Sequence, residues 1–136
     1  RKPSTERIDM SNNRTTLGKA GAATVNAFRF CVRNALVIDE CGSAGITALG
    51  VAAETATTGK QLTVIVEGLC EVDFAAAIAP GTHVQTDANG KAIAAVATKH
   101  ILGEYCPEPV NGAVANSTSG ARGRVLLYAN KMNIKL

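Results

Sequence analysis

Hydrophobic and polar positions alternate most strictly along residues 61–72, QLTVIVEGLCEV, where Leu62, Val64 and Val66 stand against Thr63, Ile65 and Glu67. A period of two is the signature of a strand with one face on a core. Shorter runs of the same kind occupy residues 24–32, where Phe28 and Phe30 alternate with Arg29 and Cys31, then residues 35–39 and 46–54. Gly50 inside the last of these marks a bulge or a close backbone approach. After residue 72, residues 74–79 suggest a single helical turn stopped by Pro80-Gly81. A strand over 82–86 follows. Asn89-Gly90 then makes a hairpin turn into strands at 91–98 and 100–106. Residues 107–123 are rich in Gly, Ser and Asn and read as a long connection, mobile or reaching a neighbour, before a closing strand at 124–129. Short strands separated by turn signals predict an all-β fold, a small barrel or sandwich of antiparallel strands.

Composition adds a constraint on stability. Apolar residues make up 46% of the 136, yet aromatics are 4% and tryptophan is absent. Much of the apolar share is alanine, which buries little surface, so the core is thin for the chain length. That favours stabilisation by association with other copies or a partner. The length suits one domain. No apolar run approaches the length that spans a bilayer, and no secretory leader is evident, so no membrane role is expected.

Charge divides the chain unevenly. Residues 1–19 hold Arg1, Lys2, Arg7, Arg14 and Lys19 against Glu6 and Asp9, which accounts for the whole net charge of +3. The expected organisation is an extended N-terminal arm over residues 1–23 and a single body over 24–136. The arm reads either as a solvated terminus or as a segment that orders on an acidic partner surface. Without interleaved aromatics it is a weak nucleic-acid footprint, and no nucleic-acid partner is expected.

Candidate chemistry is sparse. Cys31, Cys41, Cys70 and Cys106 are widely spaced, with no Cys-x-x-Cys pair, so they read as reduced structural thiols. A zinc site would need closer ligands. His83 and His100 are the only histidines, and no glycine-flanked nucleophile turn frames a cysteine for either to serve. Glu67, Glu71 and Asp73 fall at even spacing on one strand face. Such a row could serve a glycosidase or a hard cation, but it reads more simply as a solvated face paired with Lys or Arg on a neighbouring strand. No glycine motif forms a phosphate cradle. No catalytic residue, cofactor or metal is therefore assigned, and the chain is not expected to be an enzyme.

The order of elements is informative in itself. A Thr-Gly-Lys turn leads into QLTVIVEGLCEV, then AAAIAPGTHVQ, a D-x-x-G-K-A turn, HILGEY and RVLLYA. This succession, from about residue 48 to 129, resembles the capsid decoration, or cement, proteins of tailed bacteriophages. The elements that carry it are Val66-Glu67-Gly68-Leu69, residues 75–84, residues 87–91 and Leu102-Gly103. The basic arm and the 107–123 insertion depart from the family pattern.

The resemblance implies a viral structural protein: a β-barrel-like body, a homotrimer, assembled in the host cytoplasm and bound to the outer surface of the mature capsid. Its partner would be the major capsid protein, with neighbouring subunits bridged by each copy. Arg7, Arg14 and Lys19 are the expected capsid-contact residues, and removal of residues 1–19 is expected to abolish binding while leaving the body folded. The alternatives are another oligomeric virion component, such as a spike or fibre base, and a lipoyl or biotinyl carrier domain. The carrier reading would rest on Lys91 after Asn89-Gly90, but alanine follows it and no methionine is near.

Overall fold

The computed structural model describes residues 13–96 and 98–128, and every regular element among them is a β-strand. The strands are β1 (Arg14–Lys19), β2 (Phe30–Asn34), β3 (Val37–Glu40), β4 (Gly50–Ala52), β5 (Gln61–Asp73), β6 (His83–Thr86), β7 (Ala92–Ala94), β8 (Gly103–Tyr105) and β9 (Arg122–Leu127). They form one sheet in the order β3-β2-β4-β5-β9-β8-β6-β7, with β1 on β5 as a branch. Every strand pair is antiparallel.

The thirteen-residue β5 is the spine, and Gly68 divides it. Up to Glu67 the strand pairs with β1 on one side and β4 on the other; from Gly68 onward it pairs with β9. Gly68 has φ of +110°, and a Cβ there would strike the Asn13 side chain, which donates to the Leu69 carbonyl. Only glycine is at ease in that conformation, so the strand changes partners at the residue that can bend.

Each flank then curls back on itself. On the first, Ala20 bridges Ile38 in parallel and Gly21 N–H donates to the Ile38 carbonyl at 2.9 Å, bringing the end of β1 round to β3. Leu62, Val64, Ile38, Val25 and Cys31 fill the enclosed core. On the second, Phe74 bridges Ala92 in parallel and Ala75 N–H donates to the Ala92 carbonyl at 3.0 Å, bringing the end of β5 round to β7. Val72, Val84, Leu102, Val125 and Phe74 pack there, joined by Phe30 and Val51 from the first flank. Phe74 meets Tyr105 edge to face, with centroids 5.1 Å apart. The all-β barrel-like expectation holds, with β5 shared between two curled flanks.

Several local expectations differ from what forms. The helical turn expected at 74–79 does not form: Phe74 is buried in the ladder, the chain bends at Ala75 and Ala76, and their carbonyls accept from the Ser119 and Ser117 hydroxyls. Those acceptors would otherwise close a helical turn. The strand expected over 24–32 begins only at Phe30, because Phe28 has φ of +69° and breaks the extended run. The 107–123 connection is tethered: Ser117 Oγ accepts from Ile78 N–H at 2.8 Å and Tyr105 donates to the Ala115 carbonyl. Its tip is a two-residue turn in which Val110 and Ala113 exchange backbone bonds. Asn111 and Gly112 both have positive φ there, the type I′ geometry.

Within the segment expected to be an arm, residues 14–19 are laid along β5 as β1. Thr15, Leu17 and Lys19 point outward, while Gly18 lies against Ile38.

Candidate functional site

Among the described residues no group of three or more His, Cys, Asp or Glu is placed to hold a metal ion. The groups singled out in the sequence are mostly occupied by the fold. Cys31, Cys41 and Cys70 are buried and Cys106 is half-buried, and no disulfide joins them among the described residues. Burial pushes the Cys41 thiol up to about 12, with the Glu40 charge adding to the rise and a Thr86 hydrogen bond opposing it. A thiol held protonated in this way is a poor nucleophile. His100 Nδ1 lies 3.3 Å from the Gly45 carbonyl, and His83 packs edge to face on Tyr128. Tyr128 donates to Glu104 at 2.7 Å; desolvation first, then that bond and the Glu104 charge, raise the phenol to about 12. Lys91 closes the β6–β7 turn, its N–H and that of Asn89 both donating to Asp87 Oδ1 at 2.8 Å.

Two of the three acids in the β5 row are ion-paired among the described residues. Glu67 meets Arg14 at 2.7 Å, and Glu71 stands opposite Arg124 in the ladder. Asp73 lies 3.1 Å from both Arg29 and Arg122. The cations come from neighbouring strands and from the segment entering β2, so the row is a braced sheet face.

What remains open is the surface around β1. Arg14 and Lys19 lie at its two ends, about 17 Å apart at ~3.3 Å per residue. Between them Leu17 is 57% exposed. The β2–β3 hairpin ends beside it. Ala35 has φ of +55° at the turn, and Leu36 at the tip is 88% exposed. Arg33, exposed on β2, extends its guanidinium to the Leu17 carbonyl at 3.5 Å. Two exposed leucines thus sit among three cations, and of those only Arg14 is ion-paired among the described residues. Contact with another macromolecule is what an apolar patch rimmed by charge is suited to. Arg7 lies outside the described residues.

The sequence singles out Arg14 and Lys19 by charge but not Leu17, Leu36 or Arg33. Little local signal was available, because Leu17 is the one apolar residue in 14–19 and no period-two alternation surrounds it. Arg33 could not be found locally either, because only the curl that brings β3 to β1 places it there.

A family profile described as phage cement protein matches residues 10–127. Among solved structures, the head fiber gp8.5 N base of bacteriophage phi29 superposes with a TM-score of 0.64 at 15% identity, over 87% of this chain and 96% of that one. No curated protein matches the chain.

Proposed function

The chain belongs to the phage cement protein family, and we propose that it acts on the outer surface of the capsid, where it bridges neighbouring copies of the major capsid protein. The observation that carries this is the exposed surface of β1 and the β2–β3 tip, where Leu17 and Leu36 lie among Arg14, Lys19 and Arg33. Burying one exposed leucine on a partner contributes on the order of 1–2 kcal/mol, and the cations select acidic surfaces. Contacts this weak suffice for cement, because one particle repeats them and linked contacts add as avidity. Arg7, Arg14 and Lys19 are the proposed charged anchors.

The role is structural rather than catalytic, and the working unit is a homotrimer. The thin core supports association of copies. So does the 108–116 loop, which carries Val110 at 71% exposure and Val114 at 49% on a tethered base. The test is co-sedimentation of the purified protein with capsid shells that lack it, expanded and unexpanded side by side. Saturable binding to shells is expected, and absence of binding to either form overturns the reading. A second reading, the base of a capsid fibre, is favoured by the likeness to the phi29 head fiber N base. Electron microscopy of decorated particles separates the two, since a fibre base carries further density extending outward.

A further inference from the structure

We propose that the outer edge of β1 is an acceptor for strand addition, and that its occupant is an extended, acidic segment of the capsid protein. The proposal rests on the capsid-binding reading above and specifies how the contact is made.

The argument begins with where the β1 backbone groups point. Ala20 N–H donates to the Lys60 carbonyl, on the β5 side, whereas Gly21 N–H donates to the Ile38 carbonyl on the opposite side. Backbone groups alternate sides along a strand, so Thr16 and Gly18 direct theirs to β5 while Thr15, Leu17 and Lys19 direct theirs outward. The register agrees: Thr16 faces Val64, and Leu17 faces Thr63, whose carbonyl is already taken by Ala53 N–H from the β4 side. β3 flanks the far end of this edge: it bridges Ala20 and bonds Gly21, and its Ile38 side chain lies against Gly18. Ahead of that point the outward N–H groups of Thr15 and Leu17 face no strand among the described residues. The Leu17 carbonyl has only the tip of Arg33, at 3.5 Å, the outer limit of a hydrogen bond. Arg33 thus occupies the acceptor where a further strand would bond.

The flanking charges choose the occupant. A strand added here would set its side chains beside Thr15 and Leu17 on the exposed face, short of Lys19, and beside the small Thr16 position on the other. An apolar residue opposite Leu17, flanked by carboxylates toward Lys19 and Arg33, fits that row. Another copy of this chain answers poorly. Of its two path-end strands, β7 is Ala-Ile-Ala and β3, Val-Ile-Asp-Glu, already has Ala20 and Gly21 of its own chain along its outer edge, while residues 107–121 hold a single carboxylate, Glu108, in an exposed loop. Strand addition supplies affinity through the backbone and specificity through alternate side chains.

The test uses shells that lack the protein and the full chain. Thr15→Pro removes an outward amide and leaves the β5 ladder intact; Ala94→Pro removes an outward amide at the opposite end of the sheet. Proline is tolerated at such edge positions. Thr15→Pro is expected to bind about tenfold more weakly, the worth of roughly one to two backbone bonds, and Ala94→Pro within about twofold of the unaltered chain. In the unaltered chain, hydrogen exchange at Thr15 and Leu17 should slow when shells are added. Lys19→Glu should weaken binding, most at low salt. Unchanged exchange at both amides, or unweakened Thr15→Pro, overturns strand addition while capsid binding stands. Unweakened Lys19→Glu overturns the acidic assignment. Failure of the unaltered chain to bind shells removes the functional reading itself.

Discussion

Arg29 Nε lies 3.1 Å from Asp73 Oδ2, and this pair ties the segment entering β2 to the last residue of β5. The opposite carboxylate oxygen of Asp73 takes Arg122 at the same distance. Arg29 also reaches toward Glu40 at 3.8 Å and donates to the Asn89 carbonyl, so one guanidinium touches both curled flanks. Asp73→Ala would leave Arg29, with 21% of its side chain exposed, without its nearest carboxylate. A loss of about 1–3 kcal/mol is expected, read as a lower urea midpoint with unchanged slope. Arg122→Ala should cost less, under about 1 kcal/mol, because its side chain is 48% exposed, although its stacking over Phe28 at 3.7 Å is lost as well.

The β2–β3 turn contains a correctable defect. Asn34 pairs with Val37, and of the two residues between them Ala35 has φ of +55° while Leu36 has no positive φ. That is the pattern of a type II′ turn, whose first position favours glycine. Ala35→Gly should raise stability by about 0.5–1 kcal/mol, a gain of a few degrees in melting temperature.

Gly50 is the reverse case. Its φ is ordinary, but a methyl group there would fall onto the Ile65 carbonyl oxygen of the neighbouring strand. Backbone cannot step aside as a flexible side chain can, so Gly50→Ala should pry β4 from β5. A loss above about 2 kcal/mol is expected in chemical denaturation.

Legibility in the sequence followed the kind of signal involved. β5, the Asp87-to-Lys91 turn and the closing strand were readable because period-two alternation and Asn-Gly are local properties. β1 is not legible, because Thr15-Thr16-Leu17-Gly18 lies between basic residues and looks like solvated arm; its pairing with β5 is set by a distant partner. Phe28 broke a strand that alternation had begun too early, since positive φ at a bulky residue is imposed by tertiary bonds to Ala52 and Asp73. Arg14 and Lys19 were legible as charges. The leucines and Arg33 that complete the surface depend on the curl of the first flank.

Cysteine chemistry offers a pH readout. The folded Cys41 thiol titrates near 12 against 9 in a solvated chain, so the unfolded state loses its proton first. The stabilisation is fully present below pH 9 and declines as pH rises from 9 toward 12. Cys41→Ser or Cys41→Ala should flatten that decline in denaturation midpoints measured across the range. At pH 8 a maleimide should label Cys106 first, with Cys31, Cys41 and Cys70 reacting only on unfolding.

Truncation separates the arm from the body. Removing residues 1–19 takes away β1 and strips one side of β5 over Gln61 to Glu67. The core around Leu62, Val64 and Ile38 would then open to water, because Gly18 covers Ile38 and the curl through Ala20 and Ile38 loses the strand that leads into it. That deletion is therefore expected to lower the melting temperature sharply and to aggregate, and its failure to bind shells would carry no information about contact. Removing residues 1–12 spares β1 and its ladder. The shorter deletion keeps every described strand while losing Arg1, Lys2 and Arg7. If Arg7 is an anchor, binding to shells should weaken, and the salt dependence of the remaining affinity should fall with the lost cations. Unchanged affinity and salt dependence would confine the contact to β1 and the β2–β3 tip.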